Sequence, residues 1–224
     1  MSKVIAIDGP SWAGKSSVSR LVGRALGFLH VDSGALYRIM TWQALARGVD
    51  TEDPEAVAAF APTVEIECRA ENGAIAYYVE GEAPGERIRK PEINAHASQV
   101  ATVKAVRDRI TALLRSMTAY GDLVVEGRDI TTAVFPDSPA RFYLTASAEA
   151  RARRRQREEI AKGIANQSAD AVKASLLARD AIDSTRRYAP LRKADGAIEI
   201  DSSELTLDEV VETVLNALPV GWRR

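Results

Sequence analysis

The sequence holds a single cysteine, Cys68, so no internal disulfide framework can form, and its two histidines, His30 and His96, stand in no metal-ligand spacing. Neither sign of charge dominates: 30 Lys and Arg face 31 Asp and Glu, for a formal net charge of -1. A protein built to bind nucleic acid or a membrane surface would be expected to carry a global field, so any site for a polyanion must be local. There is no apolar run of about eighteen residues, and Met-Ser-Lys leads straight into a strand-like segment without an apolar signal region. These absences predict a reduced, cytoplasmic protein without membrane or nucleic-acid partners. What is present is a chain of 224 residues, 46% hydrophobic and 27% charged. That is enough for one well-buried core with small appendages, and it excludes a disordered or fibrous chain.

Val4 to Ile7 is a short β-branched run ending at Asp8-Gly9-Pro10, the pattern of a buried parallel strand. From Lys15 the period changes: Val18, Leu21, Val22, Ala25 and Leu26 share a helical face, and Gly27 stands at the expected C-terminal cap. Phe28 to Val31 reads as a second strand, with a helix following Asp32-Ser33-Gly34 as far as Arg47. Asp53-Pro54 starts a short helix. Thr63 to Cys68 and Ala74 to Glu80 then form a strand pair turning at Glu71-Asn72-Gly73. Pro91 to Tyr120 is expected to be helical with a bend. Strands at Leu123 to Val125, Arg141 to Leu144 and Ala197 to Ile200 alternate with helices from Ser147 and over Ala169 to Arg186, and Thr206 with Glu209 opens the closing helix as a capping box. This alternation predicts an α/β protein with a parallel sheet covered on both faces. Lys162 to Ala169 is its softest stretch.

Gly9-Pro10-Ser11-Trp12-Ala13-Gly14-Lys15-Ser16 satisfies the G-x-x-x-x-G-K-[ST] pattern, between a predicted strand and a predicted helix. Small residues at this spacing let consecutive N–H groups close around a phosphate at a helix N-terminus, whose dipole favours anions. Lys15 would bridge the β- and γ-phosphates of ATP, and Ser16 would ligate Mg2+, with Ser17 next in the same turn. Trp12 stands where a small residue is commoner, and its ring is expected to point outward, toward the adenine or a lid. The guanine-reading N-K-x-D and the D-x-x-G switch are absent, and the chain is short for a motor ATPase. A small-molecule kinase remains the leading class.

Such a kinase must hold two polyanions face to face and neutralise the transferred group, which requires arginines from separate loops. Candidates are Tyr37 and Arg38 after Ser33, Arg107 on the long helix, Arg128 and Asp129 beyond a strand end, and Arg179 and Arg186 flanking Asp183. Taken singly, each could be a surface charge, and Arg128-Asp129 could be an ion pair capping a strand. Arg151, Arg154 and Arg155 share one helical face. A solvated face paired with Glu158 and Glu159, an RNA-binding stripe and a mobile lid are alternatives for it, and a lid joined by the Gly163 to Ser168 stretch fits best.

Over essentially its whole length the sequence resembles bacterial cytidylate kinases. The residues that carry the likeness are Ile5 to Ser11 with Gly14-Lys15-Ser16, Asp32 to Arg38, Ala97-Ser98-Gln99-Val100 with Val106-Arg107, Glu126 to Ile130, Val134 to Asp137, Arg179-Asp180 with Asp183 and Arg186, and Ala189-Pro190-Leu191. The resemblance implies phosphoryl transfer from ATP with Mg2+ to CMP or dCMP. Position by position, it implies that Arg38 and Arg128 grip the acceptor phosphate, that Ser98, Arg107 and Asp129 read cytosine, and that Asp183 with Arg179 and Arg186 contacts the ribose. Tyr37 lines the pocket, and Arg154 and Arg155 reach the ATP phosphates from the lid. It further implies a P-loop kinase fold, usually monomeric, as one domain: a core of 1–48, 121–146 and 187–224, a monophosphate-binding insert with its helices over about 49–120, and a lid with the following helix over about 147–186. Thr131 departs from the family pattern, where glycine is usual, as does Trp12. A kinase for UMP, another monophosphate, or a sugar or shikimate-like acid, and a nucleotide-binding module without turnover, are the alternatives.

Overall fold

The computed structural model describes residues 2–161, 163 and 168–223. The softest stretch expected over Lys162 to Ala169, with the connector from Gly163 to Ser168 inside it, therefore lies largely outside the described residues. Among the described residues, seven strands form one sheet in the order β3-β4-β2-β5-β1-β6-β7. The parallel core is made of β1 (Val4–Asp8), β2 (Leu29–Asp32), β5 (Leu123–Gly127), β6 (Ala140–Thr145) and β7 (Ile198–Asp201). The remaining pair, β3 (Glu67–Glu71) and β4 (Ala74–Tyr78), is an antiparallel hairpin. It joins the sheet edge where Ala74 pairs with His30, so the β-rich insertion prolongs the main sheet.

Helices cover both faces. Alternate side chains of β1 serve opposite layers: Val4 and Ala6 pack with Leu36, Ile39, Ile110 and Leu114. Ile5 and Ile7 pack with Val18, Val22, Phe142 and Val214. The first layer includes α2 (Ser33–Ala46), α3 (Pro54–Phe60) and α5 (Lys104–Ser116); the second contains α1 (Lys15–Leu26) and α8 (Leu207–Asn216). Two further helices, α6 (Ala148–Ala161) and α7 (Ala169–Thr185), pack on each other around Ala152, Val172 and Leu176.

Local signals set most element ends. Asp32 accepts a hydrogen bond from Ala35 N at the start of α2, Asp53 caps α3 ahead of Pro54, and Gly27 ends α1 with φ 72°. Thr206 and Glu209 form the capping box on α8. Two expectations are corrected. The first strand of the hairpin begins at Glu67, because Ala61–Thr63, with Pro62 inside it, winds into a 3-10 turn and leaves the ladder unformed before Glu67. The bent helix over Pro91 to Tyr120 is α4 (Pro91–Val100), α5 and a 3-10 turn at Met117–Tyr120. The α4 ladder ends at Ala101, where Thr102 donates its hydroxyl back to Gln99 O at 2.7 Å, and Val103 is extended.

The strand ends are built for close approach. A Cβ on Gly9 would lie 1.9 Å from the Leu144 carbonyl oxygen, so only glycine lets the chain leave β1 against β6. On Gly127 a Cβ would meet Ser33 Oγ at 2.6 Å. Beyond β5 the backbone makes one π-helical turn, Ile130–Val134, anchored from below by Asp8. The buried Asp8 carboxylate accepts from Ile130 N at 2.9 Å, Thr131 N at 2.7 Å and Thr131 Oγ1 at 2.6 Å.

Burial pushes the Asp8 carboxyl up to about 6, and the Thr131 donors oppose that rise. A folded value above the unfolded 3.8 means that the contribution of Asp8 to stability is present below about pH 4 and lost as pH rises through 6. Thr131 limits this loss by holding the charged form. Thr131→Val should therefore destabilise the protein by about 1–3 kcal/mol at pH 8 and by less at pH 5, with Thr131→Ser close to the parent. Urea unfolding at the two pH values measures this; an equal loss at both would mean that the hydroxyl does not support the ionised carboxylate.

Candidate active site

The crevice lies above the carboxyl ends of β1, β5 and β2, where ligands of open α/β sheets sit. On one side the loop Gly9–Gly14 runs into α1, and Gly14 at its N-cap adopts φ 95°. The N-terminus of α1 thus faces the crevice with its orphan N–H groups and positive dipole end. Lys15 is buried and donates from Nζ to Pro10 O at 2.7 Å. Burial, together with the nearby Arg128 charge, pushes this ammonium down to about 7. Ser16 Oγ donates to Glu126 Oε2 at 2.9 Å, and His30 Nε2 lies 3.1 Å from Glu126 Oε1. A hydroxyl beside a carboxylate at the end of β5 is a hard-oxygen donor set that suits Mg2+.

On the opposite side an ion-pair array fills the crevice. Arg107, on α5, donates to the Asp129 carboxylate, and both side chains are about 4% exposed. Its other terminal nitrogen donates to Ala101 O at 3.0 Å, and its guanidinium stands 5.3 Å from the Tyr37 ring centroid. Arg186 lies 3.7 Å from both Asp129 Oδ1 and Asp183 Oδ1, held by Nε and Nη2 bonds to Ala189 O. Arg128 Nε donates to Asp183 Oδ2 at 3.0 Å. Arg38 pairs with Asp32 at 3.0 Å. Burial alone would lift Asp32, but the Arg38 and Arg89 charges outweigh it and hold its carboxyl low. Burial raises the Tyr37 hydroxyl, with Asp129 adding to the effect, so Tyr37 enters the site as a neutral phenol.

Among the described residues, buried side-chain atoms without a hydrogen-bond partner are Ser19 Oγ, Glu159 Oε2 and, on three of the expected acceptor-site residues, Ser98 Oγ, Arg38 Nε and Arg179 Nε. Buried donors in a folded protein are nearly always satisfied, so the last three are open to a group that comes from outside. Burial and the neighbouring Arg128 push the Arg179 guanidinium down to about 10.

The candidate residues are distributed as follows. The structure gathers Tyr37, Arg107, Arg128, Asp129, Asp183 and Arg186 into one connected array. Ser33 donates to Glu126 O at 2.6 Å and so braces the end of β5. Trp12, at φ 64°, turns out of the loop and is half-buried against Ala152, Val172 and Leu176. Arg154 donates to Ser202 through Oγ and O, and Ser202 Oγ is 3.0 Å from Ala13 O, one step from the phosphate loop. Arg155 pairs within α6 with Glu159 Oε1 at 2.8 Å and crosses to α7 by donating to Ser175 Oγ at 3.2 Å. Beside them a cleft of about 260 Å³ is lined by Arg153, Arg154, Arg157 and the Ser203 to Thr206 turn. Sequence reasoning passed over Glu126, Ser202, Arg151 and Asp180 as site residues. Glu126 carried a signal as an acid at the end of a buried strand beside the phosphate loop, Asp180 lay in a stretch that carries the resemblance, and Arg151 stood on the helical face read as a lid.

The cytidylate kinase family model matches residues 5–219. A cytidylate kinase of Streptomyces avermitilis is 44% identical over 214 residues, covering 95% of this chain and 90% of that one. One from Mycolicibacterium paratuberculosis is 44% identical over 210 residues, covering 93% and 92%. One from Shouchella clausii is 40% identical over 212 residues, covering 95% and 94%. Among solved structures, a protein of Eubacterium ventriosum described as uncharacterized aligns with a TM-score of 0.51 at 10% identity, covering 96% of each chain, which shows a shared fold.

Because burial and Arg128 push the Lys15 ammonium down to about 7, phosphate oxyanions placed against it must raise it again. Binding of a non-hydrolysable ATP analogue should therefore take up about half a proton at pH 7, approaching one at pH 8 and falling toward none at pH 6. Calorimetry in buffers of different ionisation enthalpy reads this directly. The uptake should vanish in Lys15→Met; if it persisted, another group would be the one that titrates.

Proposed function

The chain belongs to the cytidylate kinase family, and we propose that this crevice transfers the γ-phosphoryl group of ATP to CMP or dCMP, giving CDP or dCDP and ADP. The observation that carries the acceptor assignment is the buried Arg107–Asp129 pair, bonded to the end of α4 one helical turn beyond the unpartnered Ser98 hydroxyl. Cytosine presents an amine that donates beside N3 and O2 that accept. A carboxylate, a guanidinium and a free hydroxyl complement that edge. Uracil offers a carbonyl and an N3–H at two of those atoms, which would leave Asp129 and Arg107 facing like partners. A sugar-acid acceptor would use the arginines but not a base-reading pair.

The donor side follows from the loop. N–H groups at the start of α1 and the Lys15 ammonium hold the β- and γ-phosphates, and the cleft between Arg153, Arg157 and the Ser203 to Thr206 turn seats the adenine end. Ser16, oriented by Glu126, would hold Mg2+, which when bound offsets charge on the transferred group. Arg128 and Arg38 hold the acceptor phosphate, with Arg128 positioned between Asp183 and the loop. Asp183 accepts from a ribose hydroxyl, and Arg179 and Arg186 flank it. In this reading Tyr37 closes the acceptor pocket. The part of α6 beyond Arg151 acts as the lid, followed by α7, with Arg154 and Arg155 exchanging their present partners for phosphate oxygens when ATP is bound. The catalytic work is positioning and charge neutralisation, with no covalent intermediate on the protein. A cytoplasmic monomer is part of the same proposal.

A coupled assay for ADP with CMP, dCMP, UMP, AMP and GMP tests the assignment, and absence of turnover with CMP would end it. Within that panel, Asp129→Asn presents an amide donor to the cytosine amine and should cost CMP about ten- to hundredfold in kcat/KM, about 1–3 kcal/mol, while sparing UMP. Asp183→Asn should narrow the ratio of CMP to dCMP without admitting UMP. Parallel losses on all substrates would reduce both carboxylates to scaffolding and leave the base specificity unexplained.

A further inference from the structure

All of Ser11's polar groups are engaged, and none of them by a group of its own loop. Its N–H donates to Asp180 Oδ1 at 3.2 Å. Its carbonyl accepts from Arg151 Nη1 at 3.2 Å, and its Oγ accepts from Arg128 Nη2 at 2.8 Å. Asp180, on α7, also takes the Arg151 guanidinium on its other oxygen, and Arg151, on α6, is braced by Ala146 O at 3.1 Å. Arg151 and Asp180 have side chains only 7% and 17% exposed, so the pair is desolvated and its geometry is tightly held. The next residue, Trp12, packs on Ala152 of α6 and on Val172 and Leu176 of α7. One corner of the phosphate loop is thus joined to both outer helices by a polar and an apolar contact. Through Ser11 Oγ, that corner is also joined to Arg128.

We infer that Asp180 is a positioning residue for phosphoryl transfer. It fixes the Ser11 corner to α6 and α7 and thereby sets the Arg128 guanidinium, on the acceptor side, in register with the donor loop. The chemistry requires this because in-line transfer depends on the separation and alignment of two separately bound phosphates, and a small misplacement lowers the rate far more than it lowers either affinity. Arg128 spans the gap with its own guanidinium: it touches Ser11 of the donor loop and Asp183 of the acceptor site. A group that fixes Ser11 therefore fixes the distance between the sites. Asp180 reaches neither substrate in this arrangement, since one of its oxygens is on the Ser11 N–H and the other on Arg151.

The inference rests on the kinase reading above, and the wild-type protein separates the two: turnover of CMP tests the reaction, and the variants test the positioning. Asp180→Ala should lower kcat by about ten- to hundredfold while KM for ATP and for CMP each move less than about threefold, because the loss falls on alignment. Asp180→Asn keeps an acceptor for the Ser11 N–H and should stay within about fivefold of wild type. Ser11→Ala, which removes only the Arg128 contact, should lose about three- to tenfold in kcat and supplies the test if Asp180→Ala fails to fold. In the double variant the two losses should overlap, with kcat at least about threefold above the product of the separate effects. A kcat for folded Asp180→Ala within twofold of wild type would overturn the assignment. So would strictly multiplicative losses, or a change confined to the melting temperature or to KM.

Discussion

Positive charge has to be waiting in the crevice before two polyanions can meet there, and buried guanidinium groups are costly to desolvate unless each has a partner. The protein meets this with an alternating array, Arg107, Asp129, Arg186, Asp183 and Arg128, in which every carboxylate lies between two arginines. In the proposed reaction the same carboxylates read the acceptor, Asp129 its base and Asp183 its sugar. Selectivity and preorganisation then come from one set of contacts. A carboxylate that turned away to serve only the substrate would leave an arginine unpaired, and one that served only the arginines would leave the base unread. Ser98, Arg38 and Arg179 keep donors free, and these are positions that a ligand can satisfy without breaking the array.

The fold supplies the ends of this array from elements far apart in the chain. Arg128 and Asp129 follow β5, Arg107 stands on α5, and Asp183 and Arg186 come from the end of α7. The π-helical turn after β5 matters because it reverses the chain immediately past Asp129, and it is held by hydrogen bonds to Asp8, the last residue of β1. The strand that carries the phosphate loop therefore also anchors the base-reading carboxylate. Glu126 adds a second link, since it accepts from Ser16 on one side of the crevice while its own carbonyl is held by Ser33 on the other.

What was legible in the sequence is what depends on short spacing. The phosphate loop, the Asp53-Pro54 start, the Gly27 stop and the Thr206 to Glu209 capping box are each specified within a few residues, and the structure has them where the pattern puts them. The helix broken at Ala101 and the hairpin strand displaced to Glu67 were misplaced because a 3-10 turn and a back-bonded Thr102 interrupt otherwise regular runs. Arg151, Asp180 and Ser202 were illegible for a different reason. Ser202 meets Ala13 across 189 positions and Arg151 meets Ser11 across 140, so although Arg151 stood on a face read as a lid and Asp180 in a stretch that carried the resemblance, nothing near them in the chain pointed to the Ser11 corner. The arginines of the array were visible as a set only because the reaction class demanded them.

Thr131 and Trp12, the two positions where the resemblance leads one to expect a smaller residue, have the same physical form: each side chain finds a partner that a smaller one could not reach. Thr131 gains the Asp8 carboxylate. Trp12 gains the apolar contact between α6 and α7, but it does so at φ 64°, where a residue with a Cβ is strained by about 1–2 kcal/mol. Half-burial of an indole offsets a cost of that size, with about 1.5–3 kcal/mol available from full burial of a large apolar side chain. The balance is therefore close, and it depends on α6 and α7 staying where they are. A glycine at this position would hold the turn by its own conformational freedom. Trp12 holds it by packing, which makes the shape of the loop at Ser11 and Trp12 sensitive to the placement of the outer helices, on the same corner where Asp180 and Arg151 grip the backbone.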